Sequence, residues 1–403
     1  MNSSFSLAAM RSLIALLLSS SLVFSADLPD PAAITAAMKK AVVYAHTHLA
    51  REGGYASSYD KEGKIGEVEH GKSPTIISIQ PHGTTTMGMA MLKAYQATGD
   101  EVFLAAAKDT AKALLKCQLA SGGWGSDFDF EPEKAKKYHL RSHLDAGDKE
   151  PGKRNNSSTL DDNKTQSALL FLLEMTHEPA CKDDAELKRC TKLAFDALLA
   201  AQAPIGAWPQ QFSGPADPAA PVLKASYPAE WSRTFPKAKY TSFYTLNDSN
   251  LEQIAKVLFR AYEFEKDERY LVALKKLGEF LILAQMPEPQ PVWAMQYDHD
   301  MHPAWARKFE PPSVTAFETV GAMEVLHQLW VLTGDDKYLA PIQPALAWFE
   351  RSKLPDGHYA RFYELKTNKP LFFVKDTYEL TYDDSNLPTH YSFKDDRQDD
   401  IDT

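Results

Sequence analysis

The sequence predicts an all-α fold built from repeated helix hairpins, either stacked as a solenoid or closed into an α/α toroid. Three observations carry this: a unit that recurs along the chain, apolar residues at helical spacing inside it, and turn residues at the joints. The first unit runs Met87 to Tyr95, Thr98-Gly-Asp100, Val102 to Gln118, then Gly122-Gly-Trp124. The second runs Gln166 to Glu174, Glu186 to Gln202, then Gly206-Ala-Trp208. The third runs Asn250 to Glu263, Asp267 to Gln285, then Trp293. The fourth runs Phe317 to Leu332, Gly334-Asp335, Tyr338 to Phe349, then Asp356-Gly-His-Tyr359. A half-unit, Pro31 to Leu49 with Gly53-Gly-Tyr55, opens the series.

Each helix has its own justification. Leu251, Ile254, Leu258 and Tyr262 fall at i, i+3, i+7 and i+11, one face of a helix. In Thr98-Gly-Asp100 the glycine ends one helix and the aspartate caps the next. Gln118, Gln202 and Gln285 mark units more than 80 residues long, about twice a simple solenoid repeat. The excess lies in loop-like inserts at 124–158, 208–244 and 293–315, where such a scaffold carries function. One domain, residues 26–403, follows, with 376–403 as a tail or lid.

Residues 1–25 read as a secretory signal: Arg11, then an apolar core from Ser12 to Phe24 with small residues after it. The expected location is secreted or periplasmic, with no membrane span after cleavage. Cys181 and Cys190 bracket an acidic linker and can pair in such a compartment, while Cys117 sits in an apolar stretch. The 44 Lys and Arg against 54 Asp and Glu leave a net charge of −10, which argues against nucleic acid. A polyanionic ligand would need a basic cleft in this acidic surface.

No Gly-x-Ser-x-Gly, Walker loop, His-Glu-x-x-His or dinucleotide fingerprint occurs. Acidic pairs and arginines at loop-to-helix transitions remain. Asp161-Asp162 opens unit two and Asn247-Asp248 opens unit three. An aspartate at either place is also an ordinary N-cap. Brought to one mouth of a ring, the pairs suit a hard cation such as Ca²⁺. Arg307 and Arg361 stand among aromatics and prolines; a surface ion pair is the competing role for each. Lys224, Lys237, Lys239, Lys308, Lys366 and Lys369 are the basic residues outside the helices that a polyanion could meet. Trp124, Trp208 and Trp293 recur at helix ends, where they either pack the ring or stack on sugar.

The chain resembles the pectate lyases of polysaccharide lyase family 10. The resemblance rests on Gln80-Pro-His-Gly-Thr84, Gly122-Gly-Trp-Gly-Ser-Asp-Phe-Asp-Phe130, Thr159-Leu-Asp-Asp-Asn-Lys-Thr165 and Gly206-Ala-Trp-Pro-Gln-Gln-Phe212. It continues through Leu246-Asn-Asp248, Trp305-Ala-Arg307 and Ala360-Arg-Phe-Tyr-Glu-Leu-Lys-Thr-Asn-Lys-Pro370. It implies an incomplete α/α toroid, a polygalacturonate substrate and Ca²⁺-assisted β-elimination by a monomer. By position, Asp161 and Asp248 match the metal carboxylates, with Asp162 as the substitute for Asp161. Arg307 matches the Brønsted base, and Arg361 an arginine that binds a uronate carboxylate. Lys239, Asn247 and Trp208 are the further expected substrate contacts. For Arg307 to act as that base, nearby Ca²⁺, Arg361 and lysines would have to lower its pKa, since a free guanidinium stays protonated, and alkaline pH should help. A carboxylate-based hydrolase on the same scaffold and a non-catalytic pectin-binding protein are the rival functions.

Overall fold

In the computed structural model, residues 30–398 and 401 are described. The expected signal at 1–25 lies outside them. Among the described residues no helix is long and apolar enough to cross a membrane.

Among the described residues, helix α1 (Pro31–Tyr44) precedes four hairpins. These are α2 (Thr84–Thr98) with α3 (Glu101–Cys117), and α4 (Lys164–His177) with α5 (Ala185–Ala200). Then come α6 (Asn250–Glu265) with α7 (Glu268–Ala284), and α8 (Ala316–Thr333) with α9 (Ile342–Ser352). The expected units are all present. Helix α9 starts later than Tyr338 because a separate 3₁₀ turn, Asp336–Tyr338, comes first and Pro341 stands at the cap. The first helices of the hairpins pack side by side in the order α2, α4, α6, α8, with α3, α5 and α7 packed in succession outside them. This is an α/α toroid.

Leu251, Ile254 and Leu258 of α6 are at most 3% exposed. Full burial of such a side chain stabilises the fold by about 1.5–3 kcal/mol. Glutamine and tryptophan make the joints. Gln118, Gln202 and Gln285 each donate from Nε2 to a carbonyl of the loop that follows and to one further along the chain. The more distant acceptors are Cys190, Ala273 and Pro341. The indole N–H of Trp124, Trp208 and Trp293 donates to the carbonyl of Leu114, Leu198 and Leu281, in the helix just before each. One apolar cluster runs from Ala45 to Phe393 through all of these units.

The inserts contain more order than loop-like composition suggests. Four times, a strand leading into the inner helix pairs antiparallel with a strand after the outer helix. The pairs are 76–78 with 127–129, 158–159 with 211–212, 244–245 with 296–297, and 313–315 with 362–364. These ladders hold the loops over one end of the ring. Cys181 and Cys190, which could have paired, do not: Cys117, Cys181 and Cys190 are buried free thiols. Cys190 Sγ instead faces Glu186 Oε1 at 3.5 Å.

Candidate active site

Two equivalent turns build the acidic half of the site. Leu160-Asp161-Asp162-Asn163 enters α4, and Leu246-Asn247-Asp248-Ser249 enters α6. In each, two successive residues take left-handed backbone angles: Asp162 and Asn163 (φ 48° and 60°), then Asp248 and Ser249 (φ 54° and 57°). Non-glycine residues pay about 1 kcal/mol or more for such a conformation, and this strain concentrates at functional sites. Asp162 is therefore the positional partner of Asp248, and Asp161 that of Asn247. The capping role fails here. Asp100, Asp184 and Asp267 do cap the outer helices α3, α5 and α7 through backbone N–H groups. The inner helices α4 and α6 have no side-chain cap.

Freed from capping, Asp161, Asp162 and Asp248 each bring a carboxylate oxygen within 4.8 Å of the others. Amides aim them: Gln210 Nε2 donates to Asp161 at 2.8 Å, Gln80 to Asp162 at 3.3 Å, and Asn247 to Asp248 at 2.8 Å. Burial raises the pKa of Asp161 and drives that of Asp248 up to about 7. The neighbouring aspartates add to the rise, and the charge of Arg307 opposes it at both. Three crowded, half-buried carboxylates fit a hard divalent cation. Lys164, only 1% exposed, supplies one positive charge, 3.1 Å from Asp162, 3.5 Å from Asp161 and 3.3 Å from Glu69. Burial would discharge this lysine, but those three carboxylates raise its pKa overall.

The basic half comes from the loop before α8 and the strand after α9. Arg307 Nη2 lies 3.5 Å from Asp248 and is paired with Glu310, a side chain 1% exposed. Glu310 also accepts from the Arg307 backbone N–H at 3.0 Å and from Asn247 at 3.4 Å. Arg361 is buried, bonded to Glu318 at 3.0 Å and to the side-chain oxygen Oδ1 of Asn247 at 3.3 Å, its guanidinium over Phe317 and Tyr391. The protein's own groups raise the Arg307 pKa. Burial pulls it down, but the hydrogen bond and charge of Glu310 outweigh this, and the net shift is upward. Burial also pulls Arg361 down, and Glu318 together with the other acidic groups around it, Asp248 and Glu310 among them, outweighs it.

Asp161, Asp162, Asp248, Arg307 and Arg361 thus meet at one place. Other expected residues do not join them as expected. Trp208 is 0% exposed with its N–H used inside the fold, so it packs the ring and cannot stack on a sugar. Asn247 is 3% exposed and ties Asp248, Glu310 and Arg361 together, a bridge under the site and not an open substrate contact. Lys239 is exposed, next to Tyr240, which feels the charges of Glu310, Arg307, Asp161 and Asp248. Lys308, Lys366 and Lys369 rest over the rings of Tyr378, Tyr227 and Tyr382. Sequence reading missed Lys164, Glu310 and Tyr391. Only Lys164 left a signal: a cation at a helix N-terminus opposes the helix dipole and needs a local reason.

The two guanidiniums can neutralise an acidic sugar and hold charge that develops on it, and the three carboxylates beside them can hold a cation that adds to this. The solved structures agree on the scaffold. The family 10 polysaccharide lyase from Cellvibrio cellulosa aligns at 20% identity with a TM-score of 0.52, over 72% of this chain and 88% of that one. An aspartate-to-alanine variant of it in complex with trigalacturonic acid gives the same identity and score, over 72% and 89%. No curated protein sequence matches the chain. Residues 130–360 match the Pectic acid lyase family, a span holding both aspartate turns and Arg307. The chain belongs to that family, and is a polysaccharide lyase.

Proposed function

We propose that this lyase is an exported, monomeric pectate lyase that cuts within de-esterified polygalacturonate by Ca²⁺-assisted β-elimination, with Arg307 as the base. The observation that carries the reading is the convergence of three carboxylates and two guanidiniums from four distant segments. The trigalacturonic acid held by the Cellvibrio relative agrees with the substrate class, and the apolar stretch in residues 1–25 with export.

The C5–H of a uronate is a very weak acid until its carboxylate is neutralised. Asp161, Asp162 and Asp248 would hold the Ca²⁺, whose charge would neutralise that carboxylate and favour the carbanion-like transition state over the ground state. Arg361 is kept charged and immobile by Glu318 and two aromatic faces, so it can add fixed positive charge without reorganising. Arg307 is more open, its side chain 37% exposed, and can reach a proton on a bound sugar. In its neutral form it takes the C5 proton; the C5–H electron pair forms the C4=C5 double bond as the C4–O bond breaks, and the glycosidic oxygen leaves with that bond's pair and takes a proton from water. With Asp248 neutralised by a cation, Glu310 is the carboxylate that still holds Arg307 protonated. Activity should therefore rise toward alkaline pH.

The test is ultraviolet absorbance of the unsaturated uronide during incubation with polygalacturonate. We expect product with Ca²⁺, none after chelation, and a loss of at least about a thousandfold in Arg307→Ala. Activity that resists chelation and peaks in acid excludes this mechanism. A carboxylate-based hydrolase would produce no such absorbance.

A further inference from the structure

The family match ends at residue 360, yet the basic half of the site is completed by chain beyond it. We propose that the C-terminal segment 376–398 is a wall of the catalytic site and that its Tyr391 is a positioning residue for Arg307 and Arg361. The inference rests on the lyase reading above.

The segment is tied down at several points. Strand 380–381 pairs with 370–373, and strand 394–395 pairs with 359–360, the two residues before Arg361. The backbone N–H of Arg361 itself donates to the Phe393 carbonyl at 2.8 Å, and Phe393 is 2% exposed. Lys394 bonds Asp356 and Asp384, both at 2.6 Å, while Tyr382 donates to Glu364 at 2.8 Å. Lys308, next to Arg307, sits 3.7 Å from the ring centre of Tyr378.

Between these anchors Tyr391 faces both arginines. Its ring centre lies 4.3 Å from the Arg361 guanidinium carbon and 5.6 Å from that of Arg307. Its hydroxyl donates to Glu310 Oε1 at 3.0 Å, the same oxygen that pairs with Arg307. Phe309, adjacent in sequence to Glu310, packs on Tyr391 at 5.0 Å and under Arg307 at 5.0 Å. One side chain therefore sets the carboxylate that orients Arg307 and covers the face of Arg361. Removing the hydroxyl should loosen Arg307 while leaving the aromatic face; removing the ring should release both arginines.

The experiment compares Tyr391→Phe and Tyr391→Leu in the full chain, by initial rates on polygalacturonate with saturating Ca²⁺ and by thermal unfolding. For Tyr391→Phe we expect kcat to fall about tenfold with KM within about twofold, because the lost bond orients a group that acts in the transition state. Its melting temperature should stay close to that of the parent. For Tyr391→Leu we expect a larger fall in kcat together with a rise in KM, because Arg361 also loses its cover. The proposal is overturned if both variants keep the parental kcat and KM, or if their losses follow only the fraction of folded protein. If the parent chain itself makes no unsaturated product, the lyase reading fails and this inference fails with it. An active parent beside unaffected variants sinks the inference alone.

Discussion

At the scale of single residues, Glu310 decides the state of Arg307. Its carboxylate accepts from the Arg307 guanidinium, the Arg307 backbone, Asn247 and Tyr391, and it is 1% exposed. Burial alone would ease deprotonation of Arg307, but Glu310 reverses the sign. The pH dependence follows. If the neutral guanidine is the base, activity climbs as pH approaches a pKa that Glu310 has raised. Glu310→Gln removes that charge, so the rising limb of the kcat profile should move to lower pH, even if the maximum falls. A limb that stays in place would assign control of Arg307 to another group. Asp162 and Asp248 show a parallel economy: each accepts a left-handed backbone so that its carboxylate faces its neighbours and not the helix behind it.

At the scale of elements, the hairpins are keyed together by close backbone approaches. Gly206 has φ near +103°, and a Cβ there would stand 2.0 Å from the Lys276 carbonyl oxygen in α7. That oxygen is backbone and cannot swing away. Gly206→Ala should therefore destabilise the protein by more than about 2 kcal/mol, read as a lower melting temperature. Gly53 makes the same approach to Asp109 in α3, with φ near +93° and 2.2 Å to the carbonyl oxygen. A Gly206→Ala protein that melts with the parent would show that the α5–α7 joint can open without loss. The short ladders matter at this scale as well. By pairing the strand before each inner helix with the strand after the outer one, they bring the turns at 160–163 and 246–249 to the same end.

For the whole molecule, net charge and site charge pull in different directions. An acidic protein repels a polyuronate at long range, so recognition must come from local positive charge. The crowded carboxylates are themselves a stability cost with a definite pH dependence. Asp248 has a pKa of about 7 in the folded protein against an ordinary 3.8. Between those values the folded state keeps a proton that the unfolded chain gives up, so stability falls as pH rises through this window. Above it the full cost is in place. A cation that binds the ionised carboxylates offsets that cost and competes with the proton below it. The rise in melting temperature on adding Ca²⁺ should therefore be larger near about pH 8 than near about pH 5.5. An equal rise at both, or none, would count against Asp248 as a Ca²⁺ ligand.

What the sequence by itself determined is whatever is local or repeated. Helix periodicity, the Gly-Asp joints and the Gln and Trp marks placed the hairpins, because the contacts they report recur unit by unit. Family motifs named Asp161, Asp162, Asp248, Arg307 and Arg361, and these do meet. What only the tertiary structure decided is how distant segments bear on one another. Trp208 and Asn247 are buried because neighbouring units close over them, and Cys181 and Cys190 stay apart despite their short spacing. Arg307 is raised and not lowered because Glu310 is desolvated against it. Tyr391, 84 residues beyond Arg307, joins the site only because strand 394–395 is hydrogen-bonded to strand 359–360. Electrostatic effects depend on distance through space and on excluded water, and neither quantity is written in the order of residues.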